Sequence, residues 1–203
     1  MTIATYGAAA ASFAALVHEI PADAWGMPGL GDWDVRSLVG HTSRSLTTVR
    51  SYLQTTADTE DVATPQDYYV HVTPSALGID PADVAERGRQ AGRDLGDDPA
   101  AAVDALVSEV LDELTTVDGD PLIKVIGGLG IRLHTYLPTR VFELAVHGLD
   151  IARALDIPLQ LPDAVLAEAL DLATRTAIVT GRGDSVLLAL TGRSALPPSF
   201  SVV

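Results

Sequence analysis

The sequence contains no cysteine among its 203 residues. The chain therefore cannot form a disulfide, offer a thiolate nucleophile or bind a metal ion through sulfur. Any metal ion must be held by histidine and carboxylate side chains. Any thiol chemistry must use a thiol that comes from outside the chain.

Basic residues and long apolar runs are also scarce. The chain has 13 lysines and arginines against 27 acidic residues, which gives a net charge of −14. No basic cluster is present that could follow a phosphate backbone, so we expect no nucleic-acid partner. Charged residues interrupt every apolar run before the roughly 20 residues that a membrane span needs, and no signal-peptide pattern opens the chain. We therefore expect a cytoplasmic protein that does not enter membranes.

Hydrophobic residues make up 47% of the chain, which is enough for a well-packed core. They recur at helical spacing in six segments and predict an all-α fold. The predicted helices cover about residues 5–20, 34–55, 80–95, 98–114, 138–154 and 162–181. Asp34, Asp80 and Asp98 are suited to cap the second, third and fourth helices, and Pro138 is predicted to start the fifth.

Three stretches are less regular. Residues 57–81 predict a long irregular connection, which is either a functional lid or loose surface. In residues 121–137, Leu122 to Ile126 favour a short strand, whereas the glycines that follow favour a turn and lack the spacing of a phosphate-binding loop. The tail from Ser185 predicts one short strand with a Pro-rich return. We therefore predict a helical domain over residues 1–180 and a short extension over 181–203.

The ionisable residues of the fifth predicted helix lie on one face. At about 100° per residue, Glu143, His147 and Asp150 project within roughly 60° of one another, with Arg140 at the edge of the same stripe. A carboxylate and an imidazole one turn apart can hold a divalent metal ion, although they supply only two ligands. The same stripe is typical of the solvated face of an amphipathic helix, and the helix alone leaves both interpretations open.

Other histidines are candidates for a third ligand. His41 lies at the border of the apolar stripe of the second helix, where a histidine faces a cleft or simply completes the edge of the core. His134, together with Tyr136, precedes the fifth helix and could reach its polar stripe. His18 has no ionisable neighbour on its own helix face and is predicted to be a surface residue.

Two motifs in this order resemble a known family. Trp33 opens the second helix in the segment Gly31–His41, with His41 two turns later, and the segment Thr139–Ala152 contains Glu143-x-x-x-His147. This combination resembles the mycothiol-dependent maleylpyruvate isomerase family, a branch of the DinB-like metalloenzymes. The resemblance covers most of the chain and implies a DinB-like four-helix bundle core with extra helices. It also implies His41, Glu143 and His147 as the ligands of zinc or a similar divalent metal ion.

The resemblance further implies a function. A metal with three protein ligands can bind mycothiol as a thiolate, which adds to an electrophilic small molecule in an isomerase or S-transferase reaction. Asp150 is a candidate for orienting His147, binding substrate or acting in catalysis, and Arg140 for anchoring a carboxylate of the cofactor or substrate. We expect a monomer or homodimer.

The tail departs from the family's isomerase, which carries a C-terminal α/β domain with a substrate-binding arginine. The 203 residues do not extend through such a domain, so Arg193, or Arg182, is the candidate to replace that arginine. Two alternative functions stay open. One is a zinc-dependent hydrolase with Asp150 as general base, and the other is a non-catalytic helical binding module.

Overall fold

Eight α-helices dominate the computed structural model, which describes residues 2–73, 76–78 and 80–203 and omits the side chain of Pro81. The helices are α1 Thr2–His18, α2 Val35–Leu53, α3 Pro65–His71, α4 Pro81–Asp94, α5 Pro99–Thr115, α6 Leu133–Leu155, α7 Asp163–Val179 and α8 Gly183–Leu190. Two antiparallel pairs accompany them, β1 Pro28–Leu30 with β2 Trp33–Asp34, and β3 Leu122–Lys124 with β4 Gly130–Arg132. The predicted all-α class is confirmed.

Four of the helices form a closed bundle. α1 packs against α5 and α6, and α2 packs against the same two helices, so the four enclose one core. Apolar side chains at helical spacing fill this core, including Tyr6, Phe13, Leu38, Leu46, Val110 and Leu144. α4 covers the outer side of α2, and α7 covers α6. None of the helices in the described part of the chain is long and apolar enough to cross a membrane.

The predicted aspartate caps are confirmed. Oδ1 of Asp34 accepts a hydrogen bond from the backbone N–H of Ser37 at 2.8 Å, at the start of α2. Asp80 and Asp98 cap α4 and α5 in the same way. A capping carboxylate satisfies an N–H that would otherwise lack a partner in the first turn, and its charge is favourable there. The cap on α2 fixes the helix that carries His41.

Glycines on both helices, Gly40 of α2 and Gly88 and Gly92 of α4, allow α2 and α4 to approach each other closely. A Cβ atom on Gly40 would lie 2.1 Å from the backbone N of Gly92, and one on Gly88 would lie 2.8 Å from the indole of Trp33. The indole Nε1 of Trp33 also donates to the carbonyl of Ala85 at 2.9 Å. Glycine lowers the intrinsic stability of a helix, but here it permits a contact that larger residues would block.

The connection between α2 and α3 is anchored to the second hairpin. Ala57 N–H donates to the carbonyl of Leu122 at 3.1 Å, and Val62 N–H donates to that of Gly130 at 3.0 Å. The predicted irregular stretch 57–81 also contains α3, which the sequence analysis did not predict. Residues 74, 75 and 79 of that stretch lie outside the described residues.

The predicted start of the fifth helix was wrong. α6 begins at Leu133, and Pro138 lies inside it rather than at its start. The helix can start earlier because the hairpin leads directly into it: Asp120 Oδ1 accepts from the backbone N–H of His134 at 2.8 Å. Pro138 then only removes one helical N–H within a helix that packing holds in place.

The predicted C-terminal strand was also wrong. Residues 183–190 form α8, which packs against α7. Short apolar runs suit either structure, and here Val186, Leu187 and Leu190 recur at helical spacing. Val186 is half-buried against α7, and Leu187 and Leu190 are exposed. The segment is therefore not a buried strand.

Candidate metal centre

His41, Glu143 and His147 are brought together between α2 and α6. One potential ligand atom from each residue lies within 4.8 Å of those of the other two. The two imidazole rings are nearly perpendicular, with their centroids 5.0 Å apart. Glu143 and His147 meet because they are one turn apart on α6, and His41 joins them because α2 and α6 are neighbours in the bundle. The predicted stripe therefore faces another helix instead of solvent alone.

The donor set fits a divalent metal ion. Two imidazole nitrogens and a carboxylate oxygen are ligands that zinc accepts, and ligands about 2.1 Å from a tetrahedral ion lie roughly 3.4 Å apart. Nε2 of His147 already lies 3.3 Å from Oε2 of Glu143, and the ligand atoms of all three residues lie within 4.8 Å of one another, so the group is close to this spacing. Nδ1 of His41 is enclosed and has no hydrogen-bond partner among the described residues. Burying a ring nitrogen without a partner costs free energy, and a group that binds at the site and contacts this nitrogen would remove that cost.

His147 lies between two carboxylates. Its Nε2 is 3.3 Å from Oε2 of Glu143, and its Nδ1 is 3.2 Å from Oδ2 of Asp150. Burial lowers the pKa of His147, but the contacts with Asp150 and Glu143 outweigh burial and raise the pKa to about 9. The ring is therefore a cation at neutral pH when no metal ion is bound, with its Nε2–H directed at Glu143.

The other two residues of the group have lowered pKa values. Burial, and then the charge of His147, lower the pKa of His41 to about 4. Burial would raise the pKa of Glu143, but the contact with His147 and the charge of Arg140 outweigh it and lower the pKa to about 2. A neutral imidazole and an ionised carboxylate are the forms that bind metal ions.

Trp33 closes one side of His41. The indole and imidazole rings are 4.4 Å apart at an interplanar angle of 31°. Trp33, which lies just before α2, therefore covers a face of the His41 ring, while its Nε1 donates to α4.

Tyr69 of α3 is a site residue that the sequence analysis missed. Its hydroxyl donates to Oε1 of Glu143 at 2.8 Å and lies 3.2 Å from the carbonyl oxygen of Thr139. Burial, and then the charge of Glu143, raise the pKa of Tyr69 well above its usual value, so the hydroxyl keeps its proton. Thr64 followed by Pro65 is a helix-start pattern that could have indicated α3. No sequence pattern indicated that Tyr69 would reach Glu143.

Arg140 is buried beside this group. Only 9% of the residue is exposed, and its guanidinium carbon lies 5.2 Å and 4.9 Å from the ring centroids of Tyr68 and Tyr136. Its Nε donates to Oγ1 of Thr139 at 3.0 Å, and it has no ion pair among the described residues. Burial lowers the pKa of Arg140, but the nearby tyrosine oxygens and Glu143 outweigh burial, and the guanidinium stays charged.

Other sequence candidates lie apart from this group. His18 is exposed and pairs with Asp104 at 2.8 Å, as expected for a surface histidine, and His134 is turned towards Asp120. Arg193 is exposed and donates to the carbonyl of Thr191 at 2.5 Å, and Arg182 donates to that of Ser201. In the part of the chain that the structure describes, none of these four residues contacts His41, Glu143 or His147.

One comparison with known proteins matches most of the chain. The sequence model of a family described as the mycothiol maleylpyruvate isomerase N-terminal domain matches residues 6–152. The matched range starts in α1, ends in α6 and contains His41, Glu143 and His147. No match was found among curated proteins or among solved structures. The predicted domain boundary at residue 180 stays a prediction.

Proposed function

Because the chain belongs to the mycothiol maleylpyruvate isomerase N-terminal domain family, we propose that it is a metal- and mycothiol-dependent enzyme. We assign His41, Glu143 and His147 as the ligands of zinc or a similar divalent ion. The observation that carries this proposal is the convergence of these three side chains from two bundle helices within 4.8 Å. The proposed reaction is addition of the thiol to an electrophilic small molecule, as an isomerase or S-transferase.

His41, Glu143 and His147 would hold zinc with one position left open, and the ion would there lower the pKa of a thiol so that it is a thiolate at neutral pH. The residues of the chain set up that position. His41 and His147 would bind as neutral ligands, His147 losing the proton that it carries without metal, and Glu143 would add one negative charge, so the site would keep a net positive charge that favours an anionic thiolate. The chain has no cysteine that could compete for it.

We assign Asp150 the role of orienting His147. Oδ2 of Asp150 lies 3.2 Å from Nδ1 of His147 and can accept its N–H, which leaves Nε2 free to bind the metal ion. The hydrolase alternative needs a general base that faces the reacting group. Asp150 is instead engaged with the ring nitrogen on the other side of His147, and this favours the thiol-dependent reaction.

We also propose that Arg140 anchors a carboxylate of the thiol or of the electrophile. Its guanidinium is buried near Glu143 and has no carboxylate partner among the described residues. A buried cation without such a partner binds an incoming anion without first breaking an ion pair. The role predicted for Arg193 stays a prediction, since its contact within the tail does not bear on it.

The test is a metal analysis of the purified protein followed by an electrophile assay. We expect close to one divalent ion per chain, and consumption of an electrophile such as 1-chloro-2,4-dinitrobenzene above the uncatalysed rate only with both metal and mycothiol. Hydrolysis of an ester or amide panel without thiol would support the hydrolase. A protein that takes up no metal ion would support the non-catalytic binding module and contradict the proposal.

A further inference from the structure

The two oxygens of Glu143 have different partners. Oε1 accepts the hydrogen bond from the hydroxyl of Tyr69 at 2.8 Å, whereas Oε2 lies 3.3 Å from Nε2 of His147. The carboxylate is therefore held with one oxygen towards α3 and the other towards the imidazole. Oε2 therefore faces His147, another of the proposed metal ligands, and of the two oxygens it is the one that does not accept from the Tyr69 hydroxyl.

A carboxylate can bind a metal ion through one oxygen or through both. With two histidines, binding through one oxygen gives three protein ligands and leaves a fourth position open. Binding through both oxygens would occupy that position. We propose that Tyr69 is a positioning residue whose hydroxyl holds Glu143 to one-oxygen binding and so keeps the fourth position free for the thiol. This inference rests on the proposed function.

The ring of Tyr69 is fixed independently of its hydroxyl. It packs edge-on against Phe142 of α6 and against Tyr68, with centroid distances of 5.4 Å and 5.5 Å. α3 itself is capped by Thr64, whose side chain accepts from the backbone N–H of Asp67. Replacing Tyr69 by phenylalanine keeps these ring contacts and removes the hydrogen bond to Glu143 together with the longer contact to the carbonyl oxygen of Thr139.

The neighbouring Tyr68 offers a matched control. It lies on the same short helix, and its ring packs over the guanidinium of Arg140 and against Tyr136. Tyr68→Phe therefore removes one buried hydroxyl from the same helix without removing the bond to Glu143. Differences between Tyr69→Phe and Tyr68→Phe report on that bond.

The experiment loads wild type and both variants with Co2+ and records their absorption spectra with and without mycothiol. A thiolate bound to Co2+ adds a strong charge-transfer band, which can appear only where a coordination position is free. For Tyr69→Phe we expect this mycothiol-induced band to be at least twofold weaker than in wild type at the same mycothiol concentration, and about tenfold weaker binding of mycothiol, a loss of the size seen when partners of metal ligands are removed. Tyr68→Phe should resemble wild type, and thermal unfolding of the metal-free proteins checks that all three are folded.

The outcomes separate this inference from the proposed function. If Tyr69→Phe has the spectrum and the mycothiol affinity of wild type, the role of Tyr69 is overturned while the metal assignment stands. If Tyr68→Phe changes both quantities equally, the effect belongs to the packing of α3 and the inference also fails. If wild type takes up no Co2+, the proposed function fails together with the inference. Should Tyr69→Phe not fold, a crystal structure of Co2+-loaded wild type decides, because Glu143 bound to Co2+ through both oxygens contradicts the inference.

Discussion

Nδ1 of His147 lies 3.2 Å from Oδ2 of Asp150, on the side of the ring opposite the contact between Nε2 and Glu143. The three residues occupy successive turns of α6, so one helix supplies both carboxylates that contact the imidazole. Asp150 can therefore fix the tautomer of His147 without occupying the position proposed for the metal ion.

The first prediction concerns Asp150. Asp150→Asn is expected to weaken metal binding about tenfold, because the acceptor that orients His147 becomes weaker. Glu143→Gln should weaken metal binding more, since it removes the charge of a proposed ligand. Competition with a chromophoric chelator measures both affinities. Asp104→Asn, which alters the exposed contact with His18, is the matched control and should leave affinity unchanged.

Metal content alone does not settle the role of Asp150. Activity assays at saturating metal complete the test of this first prediction. If Asp150→Asn loses more activity than Glu143→Gln while retaining its metal ion, then Asp150 acts as a catalytic base and not as the orienting residue.

The second prediction concerns metal retention. His147→Ala is expected to purify without metal, because it removes one of three proposed ligands, whereas His18→Ala should retain close to one ion per chain. Metal analysis by mass spectrometry measures both. Chelation of the wild type should lower its thermal stability, since the ion binds the folded site preferentially, while the bundle core remains folded. Equal metal content in the two variants would contradict the assignment of His147.

The third prediction concerns the pH dependence of the stability of the metal-free protein. The pKa of His147 is raised from 6.5 to about 9 by its carboxylate contacts, so its stabilising contribution is present below pH 6.5 and is lost as the pH rises to 9. The pKa of His41 is lowered from 6.5 to about 4, so folding penalises its protonation as the pH falls from 6.5 to 4. Together these two residues place a stability maximum near pH 6.5.

Urea unfolding of the chelated protein between pH 5 and 9 tests this third prediction. Each histidine is expected to change the free energy of unfolding by at most about 3 kcal/mol across its range. His147→Asn should flatten the alkaline side of the curve and His41→Asn the acidic side. A wild-type stability that rises steadily from pH 6.5 to 9, with no change in His147→Asn, would contradict the buried cation at His147.

The sequence predicted the parts of this molecule that depend on local pattern. The six main helical segments, the aspartate caps and the polar stripe of α6 follow from spacing along one element. His41 could be joined to Glu143 and His147 only through the family resemblance, because about 100 residues separate it from them and periodicity carries no information on such contacts. The structure brings the three together through the packing of α2 against α6.

The features that were missed depend on tertiary contacts. Pro138 was predicted to start a helix because proline is favoured there, but the hairpin before it and Asp120 begin the helix one turn earlier. Tyr69 lies on a helix of seven residues, too short for a periodic pattern, and its role depends on a contact with α6. Gly88 and Gly92 reduce helix propensity in isolation, and only the approach of α2 and α4 explains them.

The last prediction concerns two glycines, each of which is next in sequence to a proposed metal-binding histidine. Gly40 precedes His41 on α2, and a Cβ atom there would lie 2.1 Å from the backbone N of Gly92. Gly148 follows His147 on α6, and a Cβ atom there would meet only the side chain of Leu159 at 3.5 Å, an ordinary contact. The same substitution to alanine is therefore expected to have opposite effects at the two positions.

Gly40→Ala should lower the free energy of unfolding by about 1–3 kcal/mol, because α4 must move away from α2 to admit the methyl group. It should also weaken metal binding, since Trp33, which covers His41, is bonded to α4. Gly148→Ala should raise the free energy of unfolding by up to about 1 kcal/mol, as alanine favours the helix, and leave metal affinity unchanged. Urea unfolding and chelator competition on both variants measure these effects. Equal free energies of unfolding for the two variants would show that α2 and α4 are not in backbone contact at Gly40. The conclusion that this close packing supports His41 would then be wrong.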